Sequence, residues 1–527
     1  MHLGEEAHRA RDWNLAIETW EKAMALYPEA PLPPRQAADS YKEKGDTANA
    51  IACLRRSLAL SPCQAGAHRC LGGLLRERND NEQALRHLQL AVHLDPCHPS
   101  DWLSLGHMLY LEGKHRAAAV CFERANRMEP SHYAALHLGY CAFYLEDHET
   151  ALSELCEALK YMPSDMDALS FKGLAQFRLN RFEEAIMTYE AMRAIDPARF
   201  DENETYRKNL FSFYIHVRHH SKILGPSSIP AHACCSAREA AGTRWQGTPL
   251  HGKTLLVFQD SGFGDTLQAM RYMQKLKRVY GAARLILAVW PQLTRLFQSL
   301  PAVDEVHSIF AIDLKKIDCD HYVDECTLML LVGPHPVQVP YLKADPELVA
   351  AWRARLGTDC NVKVGIAWAG NPSHSNDRHR SIALQDLLPL SNLPQASLYA
   401  LQKGDAVSQV FALPELCIAV LDGALTDFAD SAALMSELDL VISVDSSPVH
   451  LAGALGVPAW VLVPGHGTDW RWHKGRSDCP WYPSLRLFHQ APGERWSEVI
   501  GRVRAALFGL QPGNRLQAEK GRRGESA

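Results

Sequence analysis

Residues 84–96 read ALRHLQLAVHLDP, with a small residue at Ala84, a bulky apolar one at Leu88 and a proline at Pro96. The pattern returns along the chain. Prolines stand at Pro28, Pro62, Pro96, Pro130, Pro163 and Pro197, thirty-four or thirty-three residues apart. Twelve positions before each lies a small residue (Ala16, Ala50, Ala84, Ala118, Ala151, Ala185), and eight before lies a bulky one (Trp20, Leu54, Leu88, Phe122, Leu155, Tyr189). A further small column runs through Ala38, Gly72, Gly106, Gly139 and Gly173. Small side chains let two antiparallel helices approach, large ones fill the gap between successive hairpins, and proline closes the second helix. Each unit buries its apolar face only by stacking on the next.

Residues 1–200 therefore resemble the tetratricopeptide repeat family, with about six repeats. The resemblance implies a curved superhelix whose concave groove takes a protein or peptide partner; it implies no catalysis. Met1 falls where the first helix is already under way.

The 527 residues carry a net charge of -5 with mixed signs, which leaves no basic footprint for nucleic acid and no polybasic membrane patch. No apolar run is long enough for a membrane span, and Met1 to Trp20 is too charged for a signal peptide, so a cytoplasmic protein is expected. The 14 cysteines are scattered without a C-x-x-C pair and read as small buried hydrophobes.

Beyond Pro197 the period fades. Residues 201–220 form one more helix that caps the solenoid, and 221–252, with glycine, proline and serine but no period, connects to a second region. From Lys253 short apolar runs alternate with helical ones: strands at Thr254 to Phe258, Leu285 to Val289, Val362 to Trp368, Ser397 to Leu401, Leu440 to Val444 and Ala459 to Val463, and helices at Thr266 to Tyr280 and Leu293 to Leu300. Such alternation predicts two doubly wound lobes, residues 253–345 and 346–510, followed by a charged, disordered tail, 511–527. Ligands of such sheets sit at the carboxyl ends of the strands.

Two of those ends carry informative residues. The first is Asp260-Ser261-Gly262-Phe263-Gly264-Asp265, with Gln268 one turn on. Gly262 and Gly264 permit a tight turn close to a ligand, and Asp265 is either a functional carboxylate or a helix N-cap. The spacing lacks the third small residue of a dinucleotide fingerprint, which argues against a nicotinamide cofactor. The second is Ser443 to Gly456, where a strand ends at Asp445, Ser446 and Ser447, and Pro448 opens a helix whose N-terminus can hold a phosphate.

This second element resembles the D-[ST]-x-x-x-H-L-A-x-A-L-G element of glycosyltransferase family nine, the heptosyltransferase-like enzymes, and Gly262 to Asp265 resembles that family's G-x-G-D loop. Val364 to Asn371, Leu401 to Asp405 and Asp469-Trp470-Arg471-Trp472 extend the likeness from about Thr254 to Gln490. The resemblance implies a GT-B fold: an α + α/β chain in which the solenoid precedes two Rossmann-like lobes, acceptor on the first, nucleotide-sugar on the second, with no obligatory metal and no cofactor beyond that co-substrate. On that likeness Asp265 matches the general base, and Lys403, Ser446 and Ser447 meet the departing diphosphate. Asp445, Asn371 and Arg380 join the donor site; Arg378 shares their polar loop. His450 bonds a phosphate or the sugar, or is a buried structural histidine.

Some features depart from the family pattern. Ser447-Pro448 stands where the family has small apolar residues or glycine, and Gly465-His466-Gly467-Thr468 precedes Asp469; both changes bear on the donor pocket. Asp318-Cys319-Asp320 has a metal-binding spacing but lies in the first lobe, which argues against that role. Trp470, Trp472, Trp481 and Tyr482 either stack on a ligand or pack the lobes together. Two function classes follow: a hexosyl- or heptosyltransferase acting on a protein or glycan, or a non-catalytic adaptor that keeps the fold.

Overall fold

The computed structural model describes residues 2–220, 238–333, 339–357, 361–374, 377–391, 393–421, 423–465, 469–473, 475–491 and 493–509. Residues 221–237 of the expected connection and the expected tail, 511–527, lie outside them. The chain divides into two units, Met1–Tyr206 and Arg207–Ala527.

The first unit is a run of helical hairpins. They pair His2–Arg9 with Trp13–Leu26, Leu32–Glu43 with Thr47–Leu60, Ala65–Glu77 with Asn81–Leu94, Pro99–Leu111 with His115–Met128, His132–Tyr144 with His148–Tyr161, and Met166–Arg178 with Phe182–Ile195. Every second helix stops two residues before one of the periodic prolines. The small column works within hairpins: a Cβ on Gly139 would meet Leu155 Cγ at 2.6 Å, and one on Gly173 would meet Tyr189 Cδ2 at 2.6 Å. The turns inside the hairpins carry left-handed residues, with φ from 60 to 86° at Arg11, Gly45, Asn79, Gly113, Glu146 and Asn180. Asp12, Asp46, Asp80 and Asp147 follow four of them and cap the next helix. The expected capping helix is Glu204–His220, which crosses the division between the units.

The second unit holds two all-parallel sheets. The first contains β1 (Thr243–Arg244), β2 (Thr254–Phe258), β3 (Arg284–Val289), β4 (Glu305–Ser308) and β5 (His321–Asp324), in the order β1-β5-β2-β3-β4. The second contains β6 (Val362–Ala367), β7 (Ala396–Ala400), β8 (Ile418–Val420), β9 (Leu440–Val444), β10 (Ala459–Val463) and β11 (Leu485–His489), in the order β11-β10-β9-β6-β7-β8. β10 is an unbroken apolar run, and β2 and β9 are apolar apart from Thr254 and Ser443, because both faces are covered. The helices that matter for the site are α1 (Phe263–Ala269), α2 (Pro291–Phe297), α3 (Glu325–Val332), α4 (Phe428–Ser436), α5 (Ser447–Leu455) and α6 (Trp496–Phe508).

Three expectations change. The connection ends before Lys253: β1 pairs with β5, and Trp245 is buried with its indole N–H donating to the Thr248 carbonyl at 2.8 Å. The helix expected from Thr266 to Tyr280 starts at Phe263 and is broken by a 3-10 turn, Met270–Tyr272, where the buried Arg271 turns toward Tyr482. Strands β4, β5, β8 and β11 carry too many polar residues, or are too short, to stand out in the sequence. Among the described residues no helix is long and apolar enough to cross a membrane.

Candidate active site

The order of each sheet reverses beside its central strand, between β2 and β5 in the first and between β6 and β9 in the second. Crevices at the carboxyl ends of such strand pairs are where open α/β sheets take ligands. In the first lobe that place is organised by Glu325, which follows β5 and is fully buried. Its carboxylate accepts from the backbone N–H of Asp260 at 2.9 Å and of Ser261 at 2.8 Å, and from the Ser261 hydroxyl at 2.6 Å. Burial and the neighbouring Asp324 push its carboxyl up to about 8. Glu325 thereby fixes the loop that precedes α1.

Gly262, not Asp265, is the N-cap of α1; Asp265 is its third residue and caps nothing. Gly264 serves packing. A Cβ there would meet His450 Cδ2 at 2.7 Å, so its absence lets α1 lie on α5 of the second lobe.

The two lobes meet at Arg471, which the sequence reading quoted only within the Asp469-Trp470-Arg471-Trp472 motif and gave no role. The guanidinium Nη2 pairs with Asp265 Oδ1, Nη1 pairs with Asp469 at 2.9 Å, and Nε donates to Gln268 Oε1. Arg471 is 5% exposed, while the Asp265 and Asp469 side chains are each 30% exposed. Gln268, on the same face of α1 as Asp265, is fully buried. Asp265 Oδ2 accepts no hydrogen bond among the described residues, so one oxygen of this carboxylate is anchored and the other is available.

In the second lobe the loops after β6 and β9 come together. Arg380 Nη1 donates to the Asp445 carbonyl at 3.2 Å, and its Nε pairs with Asp377 at 3.2 Å. A Cβ on Gly370 would meet both side chains, the Asp377 carboxylate at 2.6 Å and the Arg380 guanidinium at 2.8 Å. Burial first, then Asp469, pushes the Asp445 carboxyl up to about 6 against the pull of Trp472, Arg380 and Arg471. Ser446 is the N-cap of α5 without a side-chain cap bond, and Ser447 is its first residue; Pro448 is second rather than first.

The remaining expected residues have these surroundings. Lys403 Nζ donates to the Leu425 carbonyl, and Asn371 accepts from the Ser373 N–H at 3.0 Å in an exposed turn. Arg378 bonds His379 at 2.9 Å. His450 is enclosed by Gly264, Trp472 and Tyr482, with Nδ1 at 3.1 Å from the Tyr482 hydroxyl. Burial, then Arg471 and Arg271, push its imidazole well below the usual range. Its partner is a hydroxyl, not a backbone carbonyl. Trp472 and Tyr482 are almost fully buried, and Arg271 lies over the Tyr482 ring at 4.7 Å, so these aromatics pack the lobes together. Asp320 is structural: it pairs with Lys253 at 2.9 Å and accepts from the Thr254 N–H at 2.8 Å.

A cavity of about 650 Å³ lies at the amino ends of β7 and β8, lined by Leu393, Leu398, Leu416 and Cys417, and none of the motif residues reaches it. In the first unit, the first helices of the fourth to sixth hairpins bring Tyr110, Tyr140, Tyr144 and Phe171 together, with Tyr140 and Phe171 ring centroids 4.4 Å apart.

Comparison with known proteins locates both parts. The tetratricopeptide repeat family matches residues 35–99, 103–160 and 142–199, so the first unit is built of these repeats. Glycosyltransferase family 9 (heptosyltransferase) matches residues 412–462, the span from before β8 through β10 that contains Asp445, Ser446, Ser447 and His450 but neither Asp265 nor Lys403. Protein FlbA of Caulobacter vibrioides is 27% identical over 289 residues, 50% of this chain and 48% of FlbA; the chain thus aligns with about half the length of that relative. Among solved structures, MamA is 21% identical with a TM-score of 0.29 over 30% of this chain and 94% of its own. YrrB, described as a TPR protein with an unusual peptide-binding site, is 20% identical with a TM-score of 0.34 over 35% and 95%.

Proposed function

We propose that the second unit is a glycosyltransferase that moves a sugar from a nucleotide-sugar to a protein or glycan acceptor, with the repeats selecting the acceptor. The observation that carries this reading is Asp265, held through Oδ1 by Arg471 while Oδ2 stays open. It follows β2 at the carboxyl edge of the first sheet, and it and Asp445 both act electrostatically on Arg471. An acceptor hydroxyl gives its proton to Oδ2 as its oxygen attacks the anomeric carbon, and the nucleoside diphosphate departs. Its growing negative charge meets Arg380 and the N-terminus of α5 at the crevice beside β6 and β9. The tyrosine-rich face of the solenoid is the partner surface on this reading.

The adaptor reading keeps one argument, namely that Arg471 already occupies half of the Asp265 carboxylate. Thermal denaturation with a panel of nucleoside diphosphates and nucleotide-sugars tests the donor site. A matching nucleotide at a hundredfold excess over its dissociation constant should stabilise the unit by about 2.7 kcal/mol. If no nucleotide shifts the transition, the donor assignment is wrong.

A further inference from the structure

Arg271 is a buried cation that the chemistry at Asp265 does not use. It stands in the 3-10 turn Met270–Tyr272, which interrupts the first lobe's helix after α1, and it is 4% exposed. Among the described residues its side chain donates to carbonyls and to no carboxylate: Nε to Gln268 O at 3.2 Å, in the first lobe, and Nη2 to Trp481 O at 3.3 Å, in the second. The guanidinium lies over three rings, Tyr482 at 4.7 Å, Tyr341 at 5.4 Å and Trp481 at 5.7 Å. A buried ion without a counter-charge is a poor source of stability, and an apolar side chain of similar bulk packs as well. What the planar fork adds is direction, because its fixed N–H groups meet one carbonyl from each lobe.

Both contacts lead to Asp265. Gln268 gives its carbonyl to Arg271 and its Oε1 to Arg471, and Arg471 holds Asp265. On the second lobe the Tyr482 ring lies against α5 at Gly453, where a Cβ would come within 2.4 Å of it, and its hydroxyl is 3.1 Å from His450 Nδ1. His450 is the residue on which Gly264, next to Asp265, rests. Tyr341 joins the two helices directly: its hydroxyl donates to the Leu267 carbonyl of α1 at 3.1 Å, and its N–H donates to the Ala454 carbonyl of α5 at 3.0 Å. Arg271 therefore meets Gln268, Tyr341 and Tyr482, the groups that set α1 against α5.

We infer that Arg271 is a positioning residue, which sets the register of α1 on α5 and with it the place of Asp265 relative to the second lobe. Its effect on turnover rests on the proposed transfer reaction, whereas the register can be read without substrate. A displacement of about 1 Å at a reacting group costs about a hundredfold in rate.

The test compares the full chain with its Arg271→Met and Arg271→Lys variants. Methionine keeps bulk and loses the charge; lysine keeps the charge and loses the fork. Thermal melting, hydrogen exchange of residues 263–269 and 447–455, and release of nucleoside diphosphate from a panel of nucleotide-sugars are measured on all three. Both variants should melt close to the wild type while the two segments exchange about tenfold faster. Turnover at saturating donor should fall about a hundredfold with little change in KM. Melting far below the wild type in both variants would make Arg271 a structural staple and overturn the inference. Exchange at the wild-type rate in both segments would overturn it as well, and so would faster exchange with unchanged turnover. If the wild type releases no nucleoside diphosphate while both segments loosen together in the variants, the register stays with Arg271 and the transfer reading fails instead.

Discussion

Arg471 uses three of its nitrogens to hold the site: Nη2 on Asp265, Nη1 on Asp469 and Nε on Gln268. Removing the guanidinium leaves two carboxylates facing each other with the fully buried Gln268 short of a partner. Breaking a buried pair costs about 3–5 kcal/mol, and the partial exposure of both carboxylates moves the expectation for Arg471→Ala to about 2–4 kcal/mol. Urea unfolding of the second unit measures it; a loss below about 0.5 kcal/mol, the usual size for a surface change, would contradict the bridging role. Asp445 and Glu325 give the site a pH signature. Their carboxyls rise from 3.8 to about 6 and from 4.5 to about 8, so the folded chain keeps protons that the unfolded chain has released. Their contribution to stability is therefore greatest in acid and falls as pH climbs through those windows. Asp445→Asn should flatten the fall between about 4 and 6, and Glu325→Gln the fall that continues to about 8. A stability profile with unchanged slope in both variants would contradict these environments. None of this was legible beforehand: an arginine between two tryptophans carries no sign of a carboxylate 206 positions away.

At the scale of helices and strands the sequence was most readable where one physical requirement repeats. The prolines, the alanine column and the glycine column specify close helix pairs, and the hairpins follow them residue by residue. Gly173 and Gly73 separate the two things a helical glycine does. At Gly173 a methyl would strike Tyr189, itself fully buried and bonded to Ser170 at 2.9 Å, whereas at Gly73 nothing lies within 4 Å. Gly173→Ala should destabilise the solenoid by about 1–3 kcal/mol through overpacking, and Gly73→Ala should stabilise it by about 0.5–1 kcal/mol through helix propensity. Calorimetry of both variants checks the pair; stabilisation by Gly173→Ala would show that the column is not set by packing. The left-handed column at Arg11, Asn79 and Glu146 escaped notice because its residue types vary while its backbone does not. Likewise β4, Glu305-Val306-His307-Ser308, is held by its neighbour β3 rather than by apolar content.

For the whole molecule, the change of period near Lys253 was enough to divide an α-helical unit from an α/β one. The pairing of distant loops was not, because it depends on strand order. Only with β6 beside β9 do Arg380 and Asp445 meet, and only with β2 beside β5 does Glu325 reach Asp260 and Ser261. That order also brings Asp265 and Asp445 both within electrostatic reach of Arg471, while Lys403 donates to the Leu425 carbonyl and His450 packs on Gly264 and Trp472 with Nδ1 on the Tyr482 hydroxyl. Catalysis by Asp265 is the central claim, and Asp265→Asn tests it most directly, since the amide keeps the shape of the side chain and leaves Gly262 as the cap of α1. The measurement is sugar transfer by wild type and variant at saturating donor, with nucleotide binding measured on both. The account predicts that transfer falls by roughly 10²- to 10⁴-fold while nucleotide affinity is nearly unchanged. Equal transfer by the two proteins would contradict it.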